Sequence, residues 1–253
     1  MKRNLSVLFI MVSVFALCFA MAANADTFDQ VLARWTKSRK YIDNWDKMSN
    51  LEVRATYYSA EFIEALMQKE AKDNLWTAQE ADEYKYNFLK ALRLEEMIPI
   101  QVEFVNNGPT MHLGPFDIMA YLYIGNKRYK MSDYDKRFNF KFQGKRDGLI
   151  YFPRFDEKTG KDLLKDAKQV RLVFLQTISP ITDGKNTTFV WDIANDNPQK
   201  LYQGKSAARF ETERLLKRLE KLRKDEAELQ KQLKSVQDEK QTIQTRLDEL
   251  AKQ

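Results

Sequence analysis

The hydrophobic pattern of this chain changes character several times, and each change predicts a different kind of element. Leu5 to Ala22 is apolar apart from Ser6 and Ser13 and carries no charge. Phe28, Val31, Leu32 and Trp35 then fall at helical spacing, with Ile42 and Trp45 continuing an apolar side, which predicts a helix from Asp26 to Met48. Thr27 followed by Gln30 is a capping-box pattern for its start. Leu51, Val53, Ala55 and Tyr57 alternate with Glu52, Arg54 and Thr56, the period of two that marks a strand. Ser59 is placed to cap a helix reaching Asn74, with Phe62, Ile63, Leu66 and Met67 inward. Thr77 and Glu80 repeat the capping-box pattern and open a helix to Met97.

From Ile98 the period of two dominates. Ile98, Ile100, Val102 and Phe104 alternate with polar residues, and Pro99 suits an edge or a strand start. Asn106-Asn107-Gly108-Pro109 reads as a turn. Gly125-Asn126 between Asp117–Ile124 and Lys127–Met131 is a hairpin signal. Phe138, Phe140 and Phe142 share one face of a further predicted strand, and Gln143 to Gly148 reads as a loop before a strand over Leu149–Phe155. Thr159–Lys168 reads as a short helix or turn, and Val170–Gln176 and Thr188–Ile193 as the last strands. Six or seven short strands predict an antiparallel sheet or a β-sandwich, of the immunoglobulin-like kind on strand count alone.

The last segment has a third rhythm. Ser206 to Gln253 contains no Gly or Pro. With d positions at Ala208, Leu215, Leu222, Leu229, Val236, Ile243 and Leu250, every d is apolar at an unbroken spacing of seven. The a positions are Thr212, Leu219, Glu226, Leu233, Lys240 and Leu247, so polar and apolar residues alternate there. Such a seam predicts a left-handed coiled coil with a partner helix. In a parallel homodimer Glu226 would face Glu226 and Lys240 would face Lys240, with Arg218 against Arg223. An antiparallel pairing, or another envelope protein as partner, avoids these like-charge layers. The alternative is a solvated single helix acting as a spacer.

The sequence therefore predicts an α+β chain: residues 1–25 a signal peptide, 26–97 mainly helical with one strand, 98–193 a β-sandwich, 194–205 a polar linker with Pro198 and Gly204, and 206–253 a coiled-coil helix. The signal reading rests on three parts in order: Lys2 and Arg3, the apolar run, and Ala23-Asn24-Ala25 as small residues at the cleavage positions, followed by Asp26. It predicts export to a bacterial periplasm or envelope with cleavage after Ala25. An uncleaved anchor and a lipid on Cys18 are its rivals; Leu17 directly before the cysteine fits the second poorly.

Composition narrows the chemistry. Cys18 is the sole cysteine and lies in the signal, so the remainder has neither disulfide nor thiol nucleophile. Removing Lys2 and Arg3 from 42 basic residues leaves 40 against 36 acidic ones, a net +4 that does not imply nucleic acid. His112 is the only histidine, which excludes a multi-histidine metal site and forces any Ser-His-Asp triad through one turn-like segment. No phosphate loop is present and no pattern calls for a cofactor. Abundant carboxylates leave a glycosidase-type Asp/Glu pair as a third functional reading. Asn186-Thr187-Thr188 matches a glycosylation acceptor without meaning in a bacterial envelope.

One charge feature stands apart. Lys127, Arg128, Lys130, Lys136, Arg137, Lys141, Lys145 and Arg146 face only Asp133 and Asp135 within residues 127–146, and aromatics are interleaved among them. This is a candidate anion-binding face for an envelope lipid or glycan, against the plainer reading of wet cations on strands whose aromatics are buried. The sequence thus points first to a non-enzymatic envelope scaffold working through its C-terminal helix, and second to a binding module for an anionic ligand.

Overall fold

The computed structural model describes residues 27–156, 158–202 and 205–251. The predicted signal segment, residues 1–25, and Cys18 lie outside these. The chain divides into two units with the break between Leu201 and Tyr202.

The first unit is α+β. Helix α1 spans Phe28–Trp35, and its capping box is made: the Thr27 hydroxyl accepts the Gln30 N–H and the Gln30 side chain accepts the Thr27 N–H. The predicted continuation to Met48 does not form. At Thr36 the backbone becomes extended and β1, Thr36–Ile42, pairs antiparallel with β2, Asn50–Tyr57. Among the residues of β1 only Tyr41 and Ile42 are large and apolar, so no alternation announces it. Lys37, Arg39 and Lys40 suit its position as an edge strand, where charge discourages pairing with another chain. Residues 26–97 thus contribute two strands to the sheet rather than one.

Helix α2, Ala60–Asp73, is capped by Ser59, and α3, Ala78–Ala91, by the Thr77–Glu80 box. The second stops six residues short of the predicted Met97, because Arg93 adopts a left-handed conformation (φ 54°) that no helix can continue through. Strand β3, Met97–Met111, follows. Pro99 stands near its start, just beyond the Tyr57–Ile100 pair that ends the ladder with β2. The Asn-Asn-Gly-Pro cluster does not turn the chain back. It is a break in register against β7, Phe142–Pro153, between Asn106 and Met111. Asn106 organises it, donating to the carbonyl of Pro109 (2.7 Å) and accepting from the Gly108 N–H (3.1 Å). Proline is tolerated at such an irregularity because no ladder bond is asked of it.

The hairpin of β4, Ala120–Ile124, and β5, Lys127–Lys130, forms around Gly125-Asn126, with Gly125 at φ 57°. Its first strand is shorter than expected, since residues 116–118 make a 3₁₀ turn. Strand β6 is Asp133–Tyr134. Beyond it, the predicted Phe138-Phe140-Phe142 strand is replaced by a 3₁₀ turn over Lys136–Asn139, capped by Asp135. A turn of that kind breaks the period of two, so Phe138 and Phe142 are buried while Phe140 is 63% exposed. The predicted loop from Gln143 to Gly148 is strand throughout, as part of β7. Its glycines serve the sheet. A Cβ at Gly148 would lie 2.6 Å from that of Asp135, so the close approach of Asp135 demands glycine there. Residues 159–168 make turns. Strands β8, Gln169–Phe174, and β9, Thr187–Asp192, close the unit.

Two antiparallel sheets result, in the orders β1-β2-β3-β7-β6 and β5-β4-β8-β9. They share one core. Phe104 of β3 lies 5.7 Å from Phe174 of β8, and Tyr57 of β2 lies 5.9 Å from Trp191 of β9, ring centre to ring centre. Phe104, Phe116, Phe138, Phe152, Phe174, Phe189 and Trp191 are fully buried, and each contributes roughly 1.5–3 kcal/mol by leaving water. The segment after β9 is docked on the body: Asp196 accepts the N–H of Ala60 at the start of α2 (2.8 Å), and Leu201 is buried.

The second unit is one helix, α4, Lys205–Leu250. Its 46 residues extend about 70 Å. No helix among the described residues is long and apolar enough to cross a membrane.

Candidate functional site

Along α4 the heptad residues stand in one row and are open to solvent in the single chain. Leu215, Leu219, Leu222, Leu229, Leu233, Val236, Ile243, Leu247 and Leu250 are each between 45% and 64% exposed. Glu226 and Lys240 interrupt the row and are exposed as well. The rest of the helix surface sustains itself. Glu220 pairs with Lys224 (3.1 Å), Glu226 accepts from Gln230 (3.4 Å), and Arg246 pairs with Glu249 (2.8 Å). Pairs at three and four residues each add a few tenths of a kcal/mol to an isolated helix. They stabilise α4 but leave its leucine row uncovered.

The basic residues of 127–146 are dispersed. Lys127, Arg128 and Lys130 stand on β5, at the edge of the four-stranded sheet. Lys136 and Arg137 are in the 3₁₀ turn, Lys141 follows it, and Lys145 and Arg146 are on β7 in the other sheet. Several are engaged. Arg137 is bonded to Asp135 (2.6 Å) and to the carbonyl of Asp147 (2.8 Å), and its guanidinium holds the Asp135 carboxyl below the usual range. Lys136 pairs with Asp133 (3.7 Å) and sits 3.6 Å above the Tyr134 ring. Lys145 pairs with Glu103, and Arg128 lies over the Tyr121 ring at 4.5 Å. Arg146 donates to the carbonyls of Arg137 and Lys141. Lys141 makes no ion pair among the described residues. The eight cations therefore span two sheets and a turn.

His112 is exposed, with Nε2 2.9 Å from the carbonyl oxygen of Asn139. That contact ties the His112 ring to the backbone just before β7.

Two adjoining clefts, of about 600 and 750 Å³, share Asp196 and Asn197 in their walls. Glu61, Glu64 and Asp192 also line the first. Sequence reasoning missed this cluster, because its members come from α2, from β9 and from the segment expected to be a linker. Burial pushes the Asp196 carboxyl up to about 6, and the nearby Glu61 charge adds to the rise. Glu61 and Asp196 also have structural partners. Glu61 accepts from the Trp35 indole (2.6 Å) and pairs with Arg34, and Asp196 accepts from Ala60. These bonds tie α1, α2 and the chain after β9 together. In the second cleft Arg154 is buried against Asp162 (3.0 Å) and the Leu94 carbonyl (2.8 Å).

No protein family, curated protein or solved structure matches this chain.

Proposed function

We propose that this chain is an exported, non-enzymatic envelope protein that acts as a scaffold, with α4 pairing antiparallel with α4 of a second copy. The observation that carries the reading is the exposed leucine row at spacing seven on a helix of 46 residues. Large apolar side chains recurring at this spacing and open to solvent in one copy favour an interaction site. A second helix is its natural cover, since the spacing of seven matches knobs-into-holes packing. In this reading the two sheets of the body form a sandwich, for which strand count alone supports the immunoglobulin-like description. That description carries no function.

Charge selects the orientation. Side by side and parallel, two copies would stack Glu226 on Glu226 and Lys240 on Lys240, which is costly in a seam. Antiparallel copies with Glu226 level with Leu229 of the second copy have no such layer. Leu219 then meets Val236, Leu222 meets Leu233, Leu215 meets Lys240, and Thr212 meets Ile243. Arg218 lies beside Glu239 of the second copy, and the two-fold axis repeats that contact. An exposed pair of this kind is worth less than about 1 kcal/mol, so it sets register more than strength.

Sedimentation equilibrium of the chain from residue 26 tests the assembly. A dimer is expected, and Leu222→Asp with Leu229→Asp returns it to a monomer without changing the near-ultraviolet signal of the body. A wild-type monomer across the micromolar range overturns self-pairing. Orientation is read by disulfide trapping, since the chain after the signal lacks cysteine. A Leu219→Cys chain mixed with a Val236→Cys chain gives the mixed disulfide if the helices are antiparallel. Leu219→Cys linked to itself would show a parallel pair.

A further inference from the structure

The β1–β2 hairpin ends in a loop, residues 43–49, that is organised from within. Asp43 accepts the N–H groups of Trp45 (2.7 Å) and Asp46 (3.2 Å). Asp46 in turn accepts the N–H of Met48 (3.0 Å) and the hydroxyl of Ser49 (2.5 Å). Both carboxylates are directed at the loop's own donors. The apolar side chains are directed away from the protein: Trp45 is 98% exposed and Met48 87%, and Ile42 at the end of β1 is exposed as well. A tryptophan offers one of the largest apolar surfaces of any side chain, so a loop ordered to hold one in water is set for a partner.

A second exposed aromatic follows at the same end of the five-stranded sheet, where Leu51 pairs with Asn106 and Met111 with Phe142. A Cβ at Gly108 would touch Ser49 at the base of the loop, and Asn107 donates to Asn50 (3.1 Å). Gln143 donates to the Gly108 carbonyl (3.1 Å), and Asn139 meets His112. Phe140, 63% exposed, lies two residues before β7, whose first residue pairs with Met111 at this end of the five-stranded sheet. Cations accompany both aromatics. Lys47 is in the loop, and Lys141, Lys145 and Arg146 follow Phe140. Lys47 and Lys141 make no ion pair among the described residues. Asp43 and Asp46 are the opposing carboxylates on these two segments, and Glu103 is occupied with Lys145 and Arg54.

We propose that this rim, with Trp45, Met48 and Phe140 as its apolar points and Lys47 and Lys141 as its free cations, docks on an anionic phospholipid surface. Tryptophan is suited to the headgroup level, where its ring meets acyl chains and its N–H meets water. Lys47 near Trp45 and Lys141 next to Phe140 would meet the phosphates. The feature is a protruding tip rather than a groove, which suits a deformable surface. It lies in the first unit and does not depend on the pairing of α4.

Vesicle flotation with the chain from residue 26 tests this. Binding is expected to vesicles containing phosphatidylglycerol, weakened by salt, and to be much weaker with phosphatidylcholine alone. Trp45→Ala with Met48→Ser should lower the partition coefficient about tenfold, equivalent to ~1.4 kcal/mol. Lys47→Glu with Lys141→Glu should remove the salt-sensitive part. These side chains are exposed, so all variants should keep the near-ultraviolet signal and sedimentation behaviour of the parent. A blue shift of tryptophan emission on adding anionic vesicles should vanish in Trp45→Phe. Failure of the parent to float, as for a rim that takes a protein partner, overturns the proposal. So does a loop variant that floats as well as the parent.

Discussion

Trp191 donates its indole N–H to the backbone carbonyl of Trp35 over 2.7 Å, joining the last strand of the second sheet to the residue where α1 gives way to β1. The Tyr57 ring lies between the two tryptophans, 5.7 Å from one and 5.9 Å from the other. Trp35 passes the connection on to α2 through Glu61. Four elements thus meet at one buried polar bond and its surrounding rings. Trp191→Phe removes the donor, strands a carbonyl and leaves a void. The expected loss is about 2–4 kcal/mol, read from the urea midpoint at unchanged slope. A loss below about 0.5 kcal/mol would show that the bond does not organise the junction.

Arg154 is the one buried cation among the described residues, held by Asp162 and the Leu94 carbonyl. Arg154→Leu should cost about 3 kcal/mol, because it abandons a carboxylate and a carbonyl together. Adding Asp162→Leu should return part of that loss, since both partners then go. A double-mutant cycle on urea unfolding measures the coupling, and additive losses would contradict the pairing.

Asp196 gives the body a pH dependence of definite sign. Burial raises its carboxyl to about 6, above the ordinary 3.8, so the folded state holds the proton more tightly than the unfolded state. Its contribution to stability is fully present below pH 4 and is lost as the pH rises through 6. Two units correspond to at most ~3 kcal/mol. Asp196→Asn keeps an acceptor for the Ala60 N–H without the charge. Its stability should therefore exceed that of the parent at pH 8 and vary less between pH 4 and pH 7. Chemical denaturation across that range is the check, and parallel profiles for the two proteins would refute the assignment.

The signal reading makes a sharp prediction about the exported form. Its mass should correspond to residues 26–253, with Asp26 at the N-terminus. Retention of residues 1–25 would establish the anchor instead, and a lipid-modified Cys18 the lipoprotein.

The elements best read from sequence are those stated by local rules. Both capping boxes, at Thr27 and Thr77, form as their residue types require. The Gly125-Asn126 hairpin needs only a residue tolerant of positive φ between two strands. Strand β1 shows the limit. Its side chains do not alternate, and it is a strand because β2 supplies partners for its backbone. Phe140 shows another limit: three phenylalanines spaced by two read as a strand, but the Asp135 cap turns the backbone and sends the middle ring outward. The Asp196 cluster had no signal in sequence, because α2 and the segment after β9 are brought together only by folding.

The amino-acid sequence by itself determined what depends on near neighbours: the order of most helices and strands, the helix caps, the seven-residue row of α4, and a composition with one cysteine and one histidine. The tertiary structure alone decided which strands share a sheet, that β1 and β2 extend the sheet of β3, which cations are held by carboxylates, and that Trp45 stands in water. The reason is one of range. Periodicity and capping are set within a few residues, whereas strand partners, burial and ion pairs join positions far apart in the chain, whose meeting is paid for by the core as a whole.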